Sequence, residues 1–396
     1  MAGFFPVFFK EYWSAGAPVS LSTFRLGAAN SSAGLLVALL APALGAIADR
    51  GGARKKFLIF FALTGIAATA SLYFIPQGEW LFAAFSYMLA MIGFMGGNIF
   101  YDSLIVTVSP RNRLDFVSSL GFSLGYLGGG LLFALNVLMV RNPEFFGLSS
   151  AGEAVKLSFA MAALWWGIFL VPLLLAVKEA KGLGRKGQNP VRKGFSDLAE
   201  TFRHIKSLRP VYLFLIAYWL YIDGVDTIIV MAVDYGMSLG FPASSLMVAL
   251  LITQFVGFPS AIAFGKLGER FGVLKALYGG LFIYCCVVVW GYFMDSAGEF
   301  YAMAIAIGLA QGGVQALSRS WFARLVPEEK AAQFFGFYNM LGKFAAVIGP
   351  LLMGLAGLVT GSPRTSILAL LLLLGGGIIM LRYSSTAVAS EGGERL

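Results

Sequence analysis

Apolar runs long enough to cross a lipid bilayer follow one another along this chain, broken only by short charged or Gly/Pro-rich stretches. A helical span needs about 20 mostly apolar residues. Runs of that kind stand near residues 28–48, 57–75, 80–106, 116–140 and 157–177, then 211–233, 245–264, 274–294, 300–322, 334–359 and 366–381. One further run, at 2–13, is cut short by Lys10. The pattern predicts an all-α integral membrane protein of six plus six helices, the first incomplete. In 396 residues only 12% are charged, with 58% hydrophobic, against roughly a quarter charged in soluble proteins. The bilayer is therefore the solvent for this chain.

The domains expected from these runs are a first six-helix bundle over 1–177, a basic linker over 178–209, a second bundle over 210–383 and a tail over 384–396. The linker carries Lys178, Lys181, Arg185, Lys186, Arg192, Lys193, Arg203, Lys206 and Arg209 against Glu179, Asp197 and Glu200. By the positive-inside rule it lies in the cytoplasm, and most other basic loops then fall on the same side. Lys10, Arg25, Arg141, Lys156 and Arg364 fall outside. This puts both ends of the complete protein in the cytoplasm and the chain in the plasma or inner membrane. Within the linker Phe195, Leu198, Phe202, Ile205 and Leu208 recur at helical spacing, the pattern of an amphipathic helix on a membrane surface.

The net charge of +9 is what cytoplasmic loops produce, so no nucleic-acid partner follows from it. Cys285 and Cys286 are adjacent in an apolar run and fit neither a disulfide framework nor a metal site. His204, the sole histidine, falls in the linker, leaving carboxylates as the only carriers for protons inside the membrane. No catalytic Ser/His/Asp set, paired histidine ligands or phosphate-cradling loop is found. The chain is not expected to be an enzyme or to hold a cofactor or metal.

One charged turn occurs twice. Gly45, Asp49, Arg50, Gly52, Arg54 and Lys55 join the second run to the third, and Gly265, Glu269, Arg270, Gly272 and Lys275 return at the same spacing in the second half. Two copies at equivalent places indicate duplication. The glycines allow a tight turn and close helix approach, while the cations hold the interface. A second echo pairs Gly96-Gly97 and Pro110 with Gly312-Gly313 and Pro327. It sets Asp102 and Arg319 at corresponding cytoplasmic ends, as gate candidates.

Asp223 and Asp226 lie deep in the seventh run, and an intramembrane carboxylate normally faces water or a partner. Their i, i+3 spacing puts them on one helix face, where they serve either as proton carriers or as an ion-paired, hydrogen-bonded structural pair. Lys343 sits about mid-span in the eleventh run, able to pair with one of these acids or with a substrate carboxylate. Asn98, Gln254, Gln311, Gln315 and Asn339 are further cavity candidates, each also explained by interhelical hydrogen bonding. Gly349-Pro350 predicts a kink.

The spacing Gly-x-x-x-Asp-Arg-x-Gly-x-Arg/Lys-Arg/Lys, met by Gly45 through Lys55, resembles the signature of the major facilitator superfamily of secondary transporters. The stretches from Tyr221 to Thr227, Gly312 to Ser320 and Phe335 to Asn339, with Ala2 to Pro6, look like the superfamily's vacuole-effluxer-like branch, related to autophagy-associated amino-acid exporters. The branch's Tyr-Asp-Trp-Ala-Asn-type opening is missing. The resemblance implies a twelve-helix fold of two six-helix bundles that rock about a central site, with Asp49 in a conformational latch. It further implies a small polar solute, amino acids among the choices, carried by a monomer in the lipid bilayer, while coupling to protons is expected from the carboxylates of Asp223 or Asp226. Export of hydrophobic compounds, or a membrane receptor or scaffold that binds a solute without moving it, are the alternatives.

Overall fold

In a computed structural model of the chain, residues 4–179, 182–183, 189–204, 208–238 and 243–391 are described, and they are almost wholly helical. Lys181, Arg185, Lys186, Ile205, Lys206 and Arg395 lie outside them. The long helices are α1 (Val19–Gly51), α2 (Arg54–Ser71), α3 (Trp80–Ser103), α4 (Leu114–Arg141) and α5 (Ala151–Ala176). Next comes α6 (Pro190–His204), the helix expected in the linker, with Phe195 exposed. The second half supplies α7 (Arg209–Ser238), α8 (Ala243–Phe271), α9 (Val273–Phe293), α10 (Ala297–Leu325), α11 (Ala331–Thr360) and α12 (Leu370–Glu391). Among the described residues ten helices are long and apolar enough to cross a membrane. Helix α2 has only 18 residues, and Arg54, Lys55 and Lys56 occupy its first turn.

Local chemistry sets the helix ends. Gly52 closes α1 with φ 58°, a left-handed conformation that suits glycine, and its N–H bonds the Ala48 carbonyl. Ser150 caps α5 by accepting from the Glu153 N–H, and Ser296 and Glu299 form a capping box at α10. Helices α1, α5, α8 and α12 each outrun their apolar segments by six residues or more. Helix α1 starts at Val19 rather than 28, with Arg25 lying over the Trp80 ring at 3.7 Å. Helix α12 continues to Glu391 through the expected tail, where the hydroxyls of Ser385, Thr386 and Ser390 bond carbonyls three residues back.

The chain forms two compact units. The first comprises Met1–Leu104, Leu131–Phe195 and Ala332–Asn339. In it α3 packs along α1 and α2, and α2 also meets α5. One core gathers Val37, Phe61, Ile99, Phe100, Leu170 and Ala332. A second holds the start of the chain, a helical turn Phe5–Phe8 followed by a π-helical turn Phe9–Trp13. There Trp13 packs on Phe159, and its indole N–H donates to the Ile75 carbonyl at 3.3 Å.

The second unit comprises Ile105–Gly130, Ser196–Ala331 and Met340–Leu396. Here α10 packs along α8 and α9, and α7 packs on α12. Tyr221 and Ser318 share a buried hydroxyl–hydroxyl bond of 2.6 Å. Cys286 is exposed and Cys285 half-buried on α9.

Candidate functional site

The first unit contains the first charged turn and the start of α11. Asp49, 3% exposed, receives the Arg54 Nε–H at 2.6 Å and the backbone N–H groups of Ala332 and Gln333 at 3.1 and 2.8 Å. The carboxylate thus satisfies donors at the start of α11 that no helical carbonyl reaches, and it meets the positive end of the helix dipole. Gly45 makes the approach possible, because a Cβ there would overlap the Ala332 carbonyl oxygen. Lys55 Nζ donates to the carbonyls of Leu174 and Val177 at 2.7 and 2.6 Å, closing the end of α5. Glu179 accepts from the N–H groups of Lys55 and Lys56, and Arg50 donates to the Leu183 carbonyl. Asn339 donates to Asp102 at 3.1 Å, whereas Asn98 is half-buried elsewhere on α3.

The second unit joins the start of α4 to the end of α10. Asp115 accepts from Arg324 at 2.6 and 3.1 Å and from the Ser320 hydroxyl at 2.6 Å. Arg319, also buried, donates to the Ser118 hydroxyl and carbonyl, each at 2.9 Å, and lies over the Phe122 ring. In the second charged turn Gly265 packs on Ser119 and Asp115, and Gly272 adopts φ 97°. Glu269, Arg270 and Lys275 are exposed, and the Glu269 carboxylate has no hydrogen-bond partner among the described residues. Asp115 stands in this unit as the acid that is wrapped by donors, a residue the motif spacing does not single out.

Deeper in the second unit the polar candidates converge. Asp226 is half-buried in α7 and interacts electrostatically with Lys343 of α11, with Asp223, and with the phenols of Tyr126 and Tyr284. Tyr126 donates to Gln315 Oε1 at 2.9 Å, and Gln254 packs against Gly130. Asp223, 1% exposed, directs Oδ1 to the Gly349 N–H at 2.8 Å and receives the Thr227 hydroxyl at 3.3 Å. Its Oδ2, Tyr284 OH and Gln311 Oε1 are buried and have no hydrogen-bond partner among the described residues. Buried polar atoms are seldom left unbonded, because desolvation then goes uncompensated. Gln311 also borders a small apolar cavity with Ile229, Thr253, Phe300 and Met303. The structure brings Asp223, Asp226, Lys343, Gln311 and Gln315 into one unit and keeps Asn98, Asp102 and Asn339 in the other. Tyr284 was not singled out by sequence, since a lone tyrosine in an apolar run carries no spacing signal.

The family model described as "Vacuole effluxer Atg22 like" matches residues 16–111 and 107–389. The chain belongs to the Atg22-like vacuole effluxer family. An uncharacterized MFS-type transporter of Bacillus subtilis (strain 168), YxiO, is 41% identical over 98% of this chain and 92% of its own length. Autophagy-related protein 22 of Yarrowia lipolytica is 24% identical over 91% of this chain and 75% of its own. Among solved structures, the proton:xylose symporter XylE bound to 6-bromo-6-deoxy-D-glucose aligns with TM-score 0.71 at 12% identity, covering 96% of this chain and 90% of that one. A bacterial homologue of the iron transporter ferroportin in its outward-facing state aligns with TM-score 0.64 at 15% identity, covering 97% and 93%. Identities this low speak for the fold alone, and the fold is that of the major facilitator superfamily. This Atg22-like chain is therefore a multi-pass integral membrane protein from a family of secondary transporters.

Proposed function

We propose that this Atg22-like protein carries a small polar solute, an amino acid among the candidates, by alternating access coupled to protons. The observation that carries the reading is the gathering in the second unit of Asp226 and Lys343, within Coulombic range of each other, with Tyr126, Tyr284 and the buried Asp223 Oδ2, which has no hydrogen-bond partner among the described residues. An acid and a base gathered among apolar helices can pass a proton, or take the two ends of a zwitterion, without leaving a lone charge in low dielectric. The chain then sits in the plasma or inner membrane, both ends of the complete protein being cytoplasmic, with Asp49 and Asp102 as gating residues of the first unit and Asp115 and Arg319 as gating residues of the second. Glu269 and Arg270 act only as an interfacial anchor.

Proteoliposomes loaded with a pH dye and challenged with pooled amino acids test the reading. The wild-type chain is expected to show solute uptake together with lumenal pH change. Asp226→Asn should abolish the pH change, and Lys343→Gln should lower solute uptake by about tenfold or more, the equivalent of ~1.4 kcal/mol. Solute uptake that leaves the pH unmoved sinks the coupling. Absence of flux despite saturable amino-acid binding would favour a receptor.

A further inference from the structure

In the first unit, remote in the chain from the polar cluster just described, a cavity of about 440 Å³ lies between the chain start, the end of α2 and the start of α5. Its walls are Tyr12, Tyr73, Phe74, Ser150, Glu153 and Lys156. Cavities that hold small molecules typically measure about 300–1,000 Å³ and combine apolar walls with a few convergent polar groups. This one has that composition. Phe74 is 76% exposed, and its ring meets that of Tyr73 edge-on at 5.1 Å.

One of the charges in its lining is the Lys156 ammonium, 5.7 Å from the Tyr12 ring centroid and 5.8 Å from that of Tyr73. Two rings at nearly equal distance steady the ammonium without neutralising it. Among the described residues it has no hydrogen-bond acceptor, and no acid stands at ion-pair distance. Glu153, three residues earlier in α5, is within Coulombic range of the ammonium but makes no ion pair with it, and its Oε2 accepts the Ser149 N–H at 2.8 Å and hydroxyl at 2.6 Å. The tyrosine hydroxyls likewise make no hydrogen bond among the described residues. The cavity also adjoins the N-terminus of α5, whose dipole favours an anion.

We propose that this cavity is a binding site for a small monocarboxylate with an aromatic or apolar body. Lys156 pairs with the carboxylate, and Tyr12, Tyr73 and Phe74 enclose the body. Glu153 sets the charge limit, because a dianion such as phosphate would meet its carboxylate on the same helix face. The site is independent of the transport reading, as it shares no residue with the Asp226–Lys343 cluster.

Calorimetric titration of benzoate into the purified chain, held in phosphatidylcholine nanodiscs, tests this. Saturable binding to the wild type is expected, with inorganic phosphate and benzyl alcohol giving none at the same concentrations. Lys156→Gln should weaken benzoate by about tenfold or more, and Lys156→Arg should keep it within about threefold, as expected for a charge-assisted contact. Each variant is to show the wild-type thermal midpoint, and the arginine variant controls for misfolding of the glutamine one. Lys343→Gln should leave benzoate binding intact. The proposal is overturned if the wild type binds no benzoate, if Lys156→Gln binds it as well as the wild type, or if Lys343→Gln rather than Lys156→Gln removes it.

Discussion

Asp49 and Glu269 hold the same place in two copies of one turn, yet the first is enclosed by three donors and the second faces outward. Truncating a buried, paired carboxylate leaves its partner charged and unmatched. Asp49→Ala should therefore cost on the order of 3 kcal/mol, read as a lowered unfolding midpoint in detergent, while Glu269→Ala leaves the midpoint where it was. An equal effect of the two substitutions would show that the turn acts through its glycines and cations alone. Sequence spacing picked out Asp49, because its motif is dense and local. Asp115 escaped, although it is as fully engaged, because Ser320 and Arg324 are 205 and 209 residues away and no periodicity connects them. The bond from Tyr126 to Gln315 likewise spans 189 residues, which no local spacing reveals.

Helix α11 carries glycine before proline in its interior, and this Gly349 has a specific partner. Gly349 donates its N–H to Asp223, and a Cβ on Gly349 would overlap the Thr227 hydroxyl oxygen. Asp223 thus acts on the backbone of a neighbouring helix, a role that its spacing from Asp226 does not reveal. Gly349→Ala is expected to destabilise the protein, and Thr227→Ala made in the same chain should recover part of the loss. The coupling between the two should fall at about 0.5–3 kcal/mol, the range for residues in contact. Strict additivity would place the strain elsewhere. The element boundaries themselves were legible closely at some helices, as at α9. They were not at α1, α5, α8 and α12, whose polar ends continue the helix without contributing to the hydrophobic signal.

The duplication written in the sequence divides the chain into halves, but the compact units do not follow that division. The first takes in Ala332–Asn339 and the second takes in Ile105–Gly130. Residues 1–189 produced alone would lack the N–H groups that Asp49 holds, and residues 190–396 alone would lack Asp115 and Ser118. Neither fragment should reach its full stability by itself, and the two should co-purify when expressed together. A fragment 1–189 that unfolds at the midpoint of the intact chain would contradict this. Nothing in hydropathy could have shown the exchange of segments, because it depends on pairings between positions that each look like ordinary helix ends.

The two acids also differ in what could compensate for their loss. Asp115 meets a side chain, Arg324, so exchanging the pair as Asp115→Arg with Arg324→Asp restores opposite charges. Asp49 meets one side chain, Arg54, but also two main-chain N–H groups of the kind that every residue except proline carries, and these would remain after any charge exchange with Arg54. No second-site substitution at Ala332 or Gln333 can turn those donors into acceptors. A suppressor screen begun from Asp115→Arg should therefore return changes at Arg324, and one begun from Asp49→Arg should return only reversion to an acid.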